Sequence, residues 1–135
     1  MLKLNKTIIS SGKRKTAIAR ATLKDGKGIV KINNVPLGNY QPKVYRLRIE
    51  EPLMLAEELR NKVDINVRVN GGGQMSQSDA CRTAIAKALA EHDPKVKKVF
   101  LGYDRQMLVA DVRLKEAHKP NRHGGARAKK QKSYR

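Results

Sequence analysis

A predicted strand and a predicted helix, joined by three consecutive glycines, constrain the fold more than any other part of this sequence. In VDINVRVN, residues 63–70, apolar side chains alternate strictly with polar ones, which predicts a strand that buries one face. From about Ser76 to Ala90 the apolar residues repeat at the spacing of a helix with one buried stripe. A half-buried strand and a half-buried helix can cover each other, so the unit predicts an α+β fold.

Shorter signals predict the remaining elements. Asp25-Gly26 is typical of a hairpin turn, and a proline after two acidic residues is typical of the first turn of a helix. Together the elements predict a two-layer sandwich with a roughly four-stranded sheet and two main helices. The other segments, in chain order, are a strand–turn–strand unit in residues 16–37, an irregular connection in 38–48, a helix from Glu50 to about Asn61, a short helix in 94–103 with Val96, Val99 and Phe100 facing inward, and an extended segment in 106–114.

The charge of the chain predicts a polyanionic partner. The sequence has 30 Lys and Arg against 12 Asp and Glu, a net charge of +18 at neutral pH. Such a charge opposes compaction unless a polyanion neutralises it, and this indicates either nucleic acid or an acidic membrane surface. Seven of the basic residues follow Glu116, yet residues 1–116 still have a net charge of +11.

A membrane partner is the weaker of these two possibilities. The longest apolar run, Leu53 to Ala56, is far below the roughly 20 residues that cross a bilayer. The N-terminal residues also lack the features of a secretion signal. The single cysteine, Cys81, excludes an intramolecular disulfide and fits a reducing cytosol. Nucleic acid is therefore the favoured partner.

The signals of folding stop after Glu116, which divides the chain into a globular domain, residues 1–116, and an extended basic arm, residues 117–135. Residues 121–135 contain six Lys or Arg and no acid, so they cannot form a core by themselves. Many such tails are simply disordered. The stretch RHGGAR, however, has little bulk and suits a path between nucleic-acid strands, where Lys and Arg displace counterions from phosphates. Tyr134 could stack on a base.

Two short motifs in the body are candidate nucleic-acid contacts. The glycines of GGGQMSQS, residues 71–78, either expose backbone N–H groups to a phosphate at a helix start or only permit a tight turn. The spacing is not that of a P-loop, and Ser76 with Asp79 has the spacing of a capping box. The basic cluster in SGKRKTAIAR is either a solvated surface or a phosphate contact. Arg82 and Lys87 are expected on the exposed side of the long helix, with the same two interpretations open.

Catalytic chemistry has little support in the sequence. The three histidines and Cys81 have no metal-ligand spacing, and no Ser, His and Asp arrangement is present. We therefore expect no enzymatic activity and no cofactor or metal. Two alternatives remain open: a kinase-like enzyme that binds a nucleotide at the glycines, and a non-specific compactor of nucleic acid.

Three motifs taken in order resemble one family closely. SGKRKTAIARA, VRVNGGGQMSQSDACRTAIAKAL and GGARAKKQKSYR are similar to segments of the small-subunit ribosomal protein S9 family, and the resemblance runs from about Ser11 to Arg135. Bacterial members commonly end in Ser-Lys-Arg. The ending Ser133-Tyr134-Arg135 resembles the archaeal and eukaryotic branch instead, and the chain as a whole is of the archaeal type.

The resemblance implies both a fold and a function. It implies a left-handed βαβ crossover, a place in the head of the small ribosomal subunit in the cytoplasm, and binding to rRNA beside other head proteins. It also implies that the arm reaches towards the tRNA in the peptidyl site. Tyr134 stands where bacterial members have Lys, so a contact made by that lysine does not transfer.

The expected site residues form two groups. The expected RNA-binding residues are Lys13, Arg14, Lys15, Arg20, Gly71, Gly72, Gly73, Gln74, Arg82, Lys119, Arg122, Arg127, Lys129, Lys130 and Lys132. The residues expected near the tRNA are Gln131, Ser133, Tyr134 and Arg135.

Overall fold

The computed structural model describes residues 6–120 and 125–127 of the chain. Within them, five strands form one mixed sheet, together with four α-helices and two short 3₁₀ helices. The strands are β1 (Ile8–Arg14), β2 (Ala17–Asp25), β3 (Val30–Ile32), β4 (Val35–Pro36) and β5 (Val63–Asn70). The α-helices are α1 (Lys43–Leu55), α2 (Glu57–Arg60), α3 (Gln74–His92) and α4 (Pro94–Tyr103), and the 3₁₀ helices span Leu37–Asn39 and Arg105–Met107.

The sheet has the strand order β1-β2-β5-β3-β4. Neighbouring strands are antiparallel except β3 and β5, which pair in parallel with Val30 opposite Ile65. Parallel neighbours require a crossover connection, and α1 and α2 supply it here. The α+β class is confirmed, whereas the two-layer description and the left-handed sense of the crossover stay predictions.

The buried face of the sheet carries small residues where α3 packs against it. Ala17, Ala19 and Ala21 of β2 are fully buried, and so are Ala84 and Ala88 of α3. Small side chains on both elements allow a close approach of helix and sheet, because little volume separates the two backbones. The other side of α3 packs against α1 and α4, which explains why residues 80–86 are buried around the whole circumference of the helix.

β1 is held against α3 at Gly12. A Cβ added to Gly12 would lie 2.2 Å from the carbonyl oxygen of Ala80 and 2.7 Å from the backbone nitrogen of Ala84. On the same face, the Ser10 hydroxyl donates a hydrogen bond to the carbonyl oxygen of Ala84 at 2.6 Å. Backbone proximity and a hydrogen bond therefore fix this strand, with only Ile8 as a large buried apolar side chain.

The number of strands differs from the sequence-based expectation of about four. A strand that the sequence did not indicate is β1, whose covered face presents Ile8, Ser10 and Gly12 instead of a row of large apolar residues. This face lacks the alternation by which β5 is recognisable, so the periodicity of the sequence did not indicate a strand there.

The first helix begins earlier than expected. α1 starts at Lys43, inside the segment that the sequence indicated as an irregular connection. The carbonyl oxygen of Pro42 accepts the backbone N–H groups of Tyr45 and Arg46 and so forms the first turn. Pro52, which suggested a helix start, instead lies near the end of α1 with its ring buried.

The expected capping box at the start of α3 is wrong. Gly73 is the N-terminal capping residue and makes no side-chain hydrogen bond, while Ser76 and Asp79 lie inside the helix. α4 is confirmed, with Phe100 fully buried, but Val99 is 48% exposed and does not face inward as expected.

Residues 106–114 do not form the extended strand that their alternation indicated. After the 3₁₀ helix, residues 108–120 form neither helix nor strand. Met107 is fully buried, whereas Val112 is 87% exposed and Leu114 is 52% exposed. Alternation alone did not produce a strand because this segment pairs with no edge of the sheet.

The close approach of β1 to α3 makes Gly12 the most sensitive glycine of the buried face. Gly12→Ala is expected to lower the free energy of unfolding by about 2 kcal/mol or more, because the added methyl group meets rigid backbone atoms. Gly38→Ala is the matched control: no atom lies within 4 Å of its added Cβ, so a change within about 0.5 kcal/mol is expected. Urea unfolding of both variants measures the difference, and equal stabilities would contradict the packing argument.

Candidate nucleic-acid interface

The second face of the sheet is exposed and basic. Several of its strands line an open trough of about 870 Å³, in which Thr22 and Asn66 add polar groups and Ile18 adds an apolar patch. We call the exposed cationic side chains of this face the cationic sheet face: Lys13, Arg20, Lys24, Lys31 and Arg68.

Two arginines stand directly opposite each other at the centre of this face. Arg20 of β2 and Arg68 of β5 are cross-strand partners in the antiparallel register. Like charges in this position destabilise a sheet. Within residues 6–120 and 125–127, neither arginine forms an ion pair with a carboxylate. The pair therefore has no structural partner in the described chain that would explain its position.

Asp64 is the one carboxylate among the described residues that line the trough. It is hydrogen-bonded to the backbone of the loop between β2 and β3. Its Oδ1 accepts the backbone N–H groups of Lys27 at 2.8 Å, Gly28 at 3.1 Å and Ile29 at 2.9 Å. These hydrogen bonds, led by the one from Ile29, hold the pKa of Asp64 below its ordinary value. The charge of Asp64 thus orders a loop and does not pair with the arginines.

Many carboxylates of the chain are placed away from the cationic sheet face. Four of them join four arginines in a cluster on the side of α1, α3 and the segment that follows α4. We call this cluster the ion network, and its members are Arg14, Arg48, Arg82 and Arg113 with Glu51, Asp79, Asp104 and Asp111. Because the network contains equal numbers of both charges, it leaves the excess positive charge to the rest of the surface.

Arg82 lies inside the ion network and not on an exposed helix surface, so that expectation is wrong. Its side chain is 5% exposed, with Nε 2.7 Å from Oε2 of Glu51 and Nη2 3.0 Å from Oδ2 of Asp104. The hydrogen bond from Arg82 lowers the pKa of Asp104. Removing one partner of such a pair leaves a buried charge without compensation. We therefore assign Arg82 to the internal structure and no longer to the RNA-binding set.

Arg14 also points into the ion network. Its Nη1 lies 2.6 Å from Oδ2 of Asp111, and its Nε lies 3.8 Å from Oδ2 of Asp79. Lys13, the preceding residue, is exposed on the other face because successive side chains of a strand alternate. Lys15 is exposed in the turn between β1 and β2, with a φ of 54°. The structure therefore separates a cluster that the sequence presented as one unit.

The glycine loop joins the edge of the trough to the start of α3. Gly71 and Gly72 have φ values of 79° and 66°, which favour glycine, and a Cβ on Gly71 would lie 2.7 Å from the carbonyl oxygen of Thr16. Gln77 donates a hydrogen bond from Nε2 to the carbonyl oxygen of Gly71. A tight turn is thus sufficient to explain Gly71 and Gly72, while a phosphate contact through this loop, including Gly73 and Gln74, stays a prediction.

The structure describes two of the expected basic residues of the arm. Lys119 is exposed, and Arg127 forms an ion pair with Glu116 through its Nε and Nη2 atoms. The other expected arm contacts lie outside the described residues: Arg122, Lys129, Lys130, Gln131, Lys132, Ser133, Tyr134 and Arg135.

The sequence did not single out Arg68, Lys24 and Lys31 as site residues. The strict alternation of β5 already indicated that Arg68 lies on the polar face. Its position opposite Arg20 depends on the strand order and register, which the sequence pattern does not specify. Arg68 was therefore recognisable as exposed, but not as half of a cationic pair.

The described residues give no indication of a metal centre. No cluster of three or more His, Cys, Asp or Glu suited to a metal ion occurs in residues 6–120 and 125–127. Burial raises the pKa of the Cys81 thiol to about 12, so this thiol is protonated at neutral pH. No helix in the described part of the chain is long and apolar enough to cross a membrane.

The role of Asp64 in the loop predicts a pH-dependent stability. Because folding lowers its pKa, the stabilisation is fully present above the ordinary pKa of a carboxyl, about 4, and is lost as the pH falls through the lower folded value. Asp64→Ala is expected to lower the unfolding temperature at neutral pH and to accelerate amide exchange of Lys27, Gly28 and Ile29. The difference from the unmodified chain should shrink below about pH 4. Asn66→Ala, on the same exposed face, is the control, and a pH-independent difference would contradict the assignment.

Comparisons with known proteins identify the family of this chain. The family model described as ribosomal protein S9/S16 matches residues 12–135. The chain is 48% identical over 133 residues to the small ribosomal subunit protein uS9 of Methanococcus maripaludis strain C7, covering 96% of this chain and 99% of the relative. The protein of the same name from strain C5 has the same identity and coverage. The chain belongs to the ribosomal protein S9/S16 family.

Proposed function

We propose that this chain is a structural component of the small ribosomal subunit and binds small-subunit rRNA through the cationic sheet face. The observation that carries the proposal is the pair of Arg20 and Arg68, directly opposite on an uncovered face and without a carboxylate partner in the described residues. The pair costs stability in the free chain, and phosphate groups would convert that repulsion into attraction. Guanidinium groups also match the geometry of phosphate oxygens.

The shape and composition of the face favour RNA over an acidic protein. Thr22, Asn66 and Asn70 add neutral hydrogen-bonding groups beside the cations, and such groups commonly contact phosphates and sugars. The net charge of the whole chain, +18, acts in the same direction. The relatives named above are small ribosomal subunit proteins, which supports the same assignment for this chain. We propose that it works within the ribosome in the cytoplasm.

Several expected residues take part in this proposal. Lys13 and Arg20 contribute through the cationic sheet face, Lys15 through the exposed turn beside it, and residues 71–74 through the loop that begins at the edge of the trough with Gly71. We assign no catalytic role to the chain. A non-specific compactor of nucleic acid is the competing function, and the relative affinity of the chain for small-subunit rRNA and for duplex DNA distinguishes the two.

Removing the central pair should weaken RNA binding without weakening the fold. The double variant Arg20→Gln and Arg68→Gln is expected to bind small-subunit rRNA roughly tenfold more weakly or worse, since each charge-assisted hydrogen bond contributes about 1 to 3 kcal/mol. The slope of log affinity against log salt should decrease by about 2. The unfolding temperature should stay the same or rise, because a like-charge contact disappears.

The matched control removes the same charge from another surface. Lys97→Gln with Lys98→Gln changes two exposed lysines of α4 and should leave the affinity close to that of the unmodified chain. Filter binding with small-subunit rRNA and with duplex DNA of equal length measures both double variants. Equal losses in both, or equal affinity of the unmodified chain for rRNA and DNA, would indicate non-specific binding and sink the proposal.

We further propose that residues 117–135 form the extended basic arm, which follows the rRNA towards the tRNA in the peptidyl site. The absence of helix and strand in residues 108–120 supports an extended course, and so does the exposure of Lys119. The sequence of the arm supports the same role, because Gln131, Ser133 and Arg135 match the family motif and Tyr134 offers a ring for stacking.

Deleting residues 131–135 separates the two tasks of the chain. Subunits that contain the truncated chain are expected to assemble nearly normally, because the cationic sheet face and most of the arm are intact. They should release tRNA from the peptidyl site faster than unmodified subunits. Sedimentation measures assembly, and dissociation of labelled tRNA measures retention. Equal retention by both kinds of subunit would rule out a contact by the tip.

A further inference from the structure

The segment that leads to the arm is fixed to the body at three points. Oδ2 of Asp104 accepts a hydrogen bond from Nη2 of Arg82 at 3.0 Å, and Oδ1 accepts one from the backbone N–H of Gln106 at 2.9 Å. Met107 is fully buried, which adds an apolar contact in the middle. Oδ2 of Asp111 accepts a hydrogen bond from Nη1 of Arg14 at 2.6 Å. The segment therefore crosses the body along a defined line despite its lack of regular structure after the 3₁₀ helix.

The last fixed point is the most densely bonded. Asp111 accepts the backbone N–H of Arg113 at 2.9 Å and the Nη2 of Arg113 at 2.7 Å, in addition to the bond from Arg14. These contacts close a short turn over residues 111–113. From Val112 to the end of the first described range, residue 120, every side chain is exposed. The chain is therefore held against the body as far as Asp111, and its side chains are exposed from Val112 to residue 120.

Arg14 and Arg82 reach this segment from two different elements, β1 and α3. The Arg14 and Asp111 side chains are 17% and 19% exposed, and the Arg82 side chain is 5% exposed. Pairs at this degree of burial are less screened by salt than surface pairs. Both arginines are thus held by carboxylates in the free chain and are not presented to a phosphate.

We propose that Arg14 and Arg82, through Asp111 and Asp104, form a latch that sets the direction of residues 104–113 before RNA is bound. The two arginines are positioning residues and contact no RNA themselves. The arm then leaves the body from a fixed point, and only the part beyond Asp111 needs to find its path along the RNA. The purpose of the latch rests on the proposed function, whereas the latch itself is testable without RNA.

A distance measurement in the free chain tests the latch directly. Spin labels are placed on Lys97→Cys in α4 and on Val112→Cys in the turn that Asp111 closes, both exposed positions. The buried Cys81, with its pKa raised to about 12, does not compete for the label. Pulsed electron–electron double resonance should give one narrow distance distribution without RNA, and the same distribution after small-subunit rRNA is added.

Variants of the latch and a control of equal charge complete the test. Asp111→Asn and Arg14→Gln should each broaden the distribution, and the double variant should broaden it no further than Asp111→Asn alone, because the bond between Arg14 and Asp111 is already lost in that variant. Glu57→Gln removes one negative charge from an exposed position of α2 and should leave the distribution narrow. Arg82 is left unchanged, since its substitution would also disturb the interior. Thermal unfolding followed by circular dichroism checks that each variant is folded.

The outcomes separate the latch from the proposed function. A distribution that stays narrow in Asp111→Asn and Arg14→Gln would show that Met107 and the bond between Arg82 and Asp104 direct the segment without Arg14 and Asp111, and would overturn the latch. A distance that changes when rRNA binds would overturn it as well, because RNA would then set the direction. Rupture of the latch should reduce rRNA affinity less than twofold, whereas failure of the proposed function would appear in the Arg20 and Arg68 variant.

Discussion

The close contact between α3 and the first two strands is the constraint on which the rest of the structure depends. Gly12 and the buried alanines of β2 bring the helix to the sheet with little side-chain volume between them. The remaining sides of α3 are covered by α1 and α4, so the helix is enclosed. α3 thereby covers one side of β1, β2 and β5, and the side that carries Arg20 and Arg68 is exposed. The open basic surface is thus a direct consequence of how α3 is packed.

The distribution of charge follows from the same arrangement. The ion network lies beside α3, where Arg82 is buried and each carboxylate of the network is within 4 Å of an arginine. Asp64, on the open face, is occupied by three backbone N–H groups. The negative charges therefore do not neutralise the cationic sheet face. The repulsion between Arg20 and Arg68 must be offset by the apolar core, and a polyanion would relieve it.

The sequence predicted those features that depend on a single element. The alternation of β5 and the apolar stripe of α3 lie within one stretch each, so periodicity was sufficient to locate both.

The features that were missed depend on remote partners. Arg14 and Asp111 are 97 positions apart, and Arg82 and Asp104 are 22 positions apart, so both arginines were taken for surface charges. β1 was missed because its contact with α3 uses Gly12 and Ser10 in place of apolar side chains. In the candidate site, Lys13 and Arg20 were expected correctly as exposed cations, whereas the pairing of Arg20 with Arg68 required the strand register.

β1 contributes side chains both to the cationic sheet face and to the ion network. Lys13 and Arg14 are consecutive, so strand alternation directs one towards the cationic sheet face and the other towards the ion network. The neighbouring Gly12 lies against the backbone of α3 and so fixes the positions of both side chains. A shift of β1 by one residue would exchange the two faces, since the side-chain period of a strand is two. It would bury Lys13 in the network and remove the bond to Asp111 at the same time. The sheet face and the direction of the C-terminal segment are therefore specified together, by the register of one short strand.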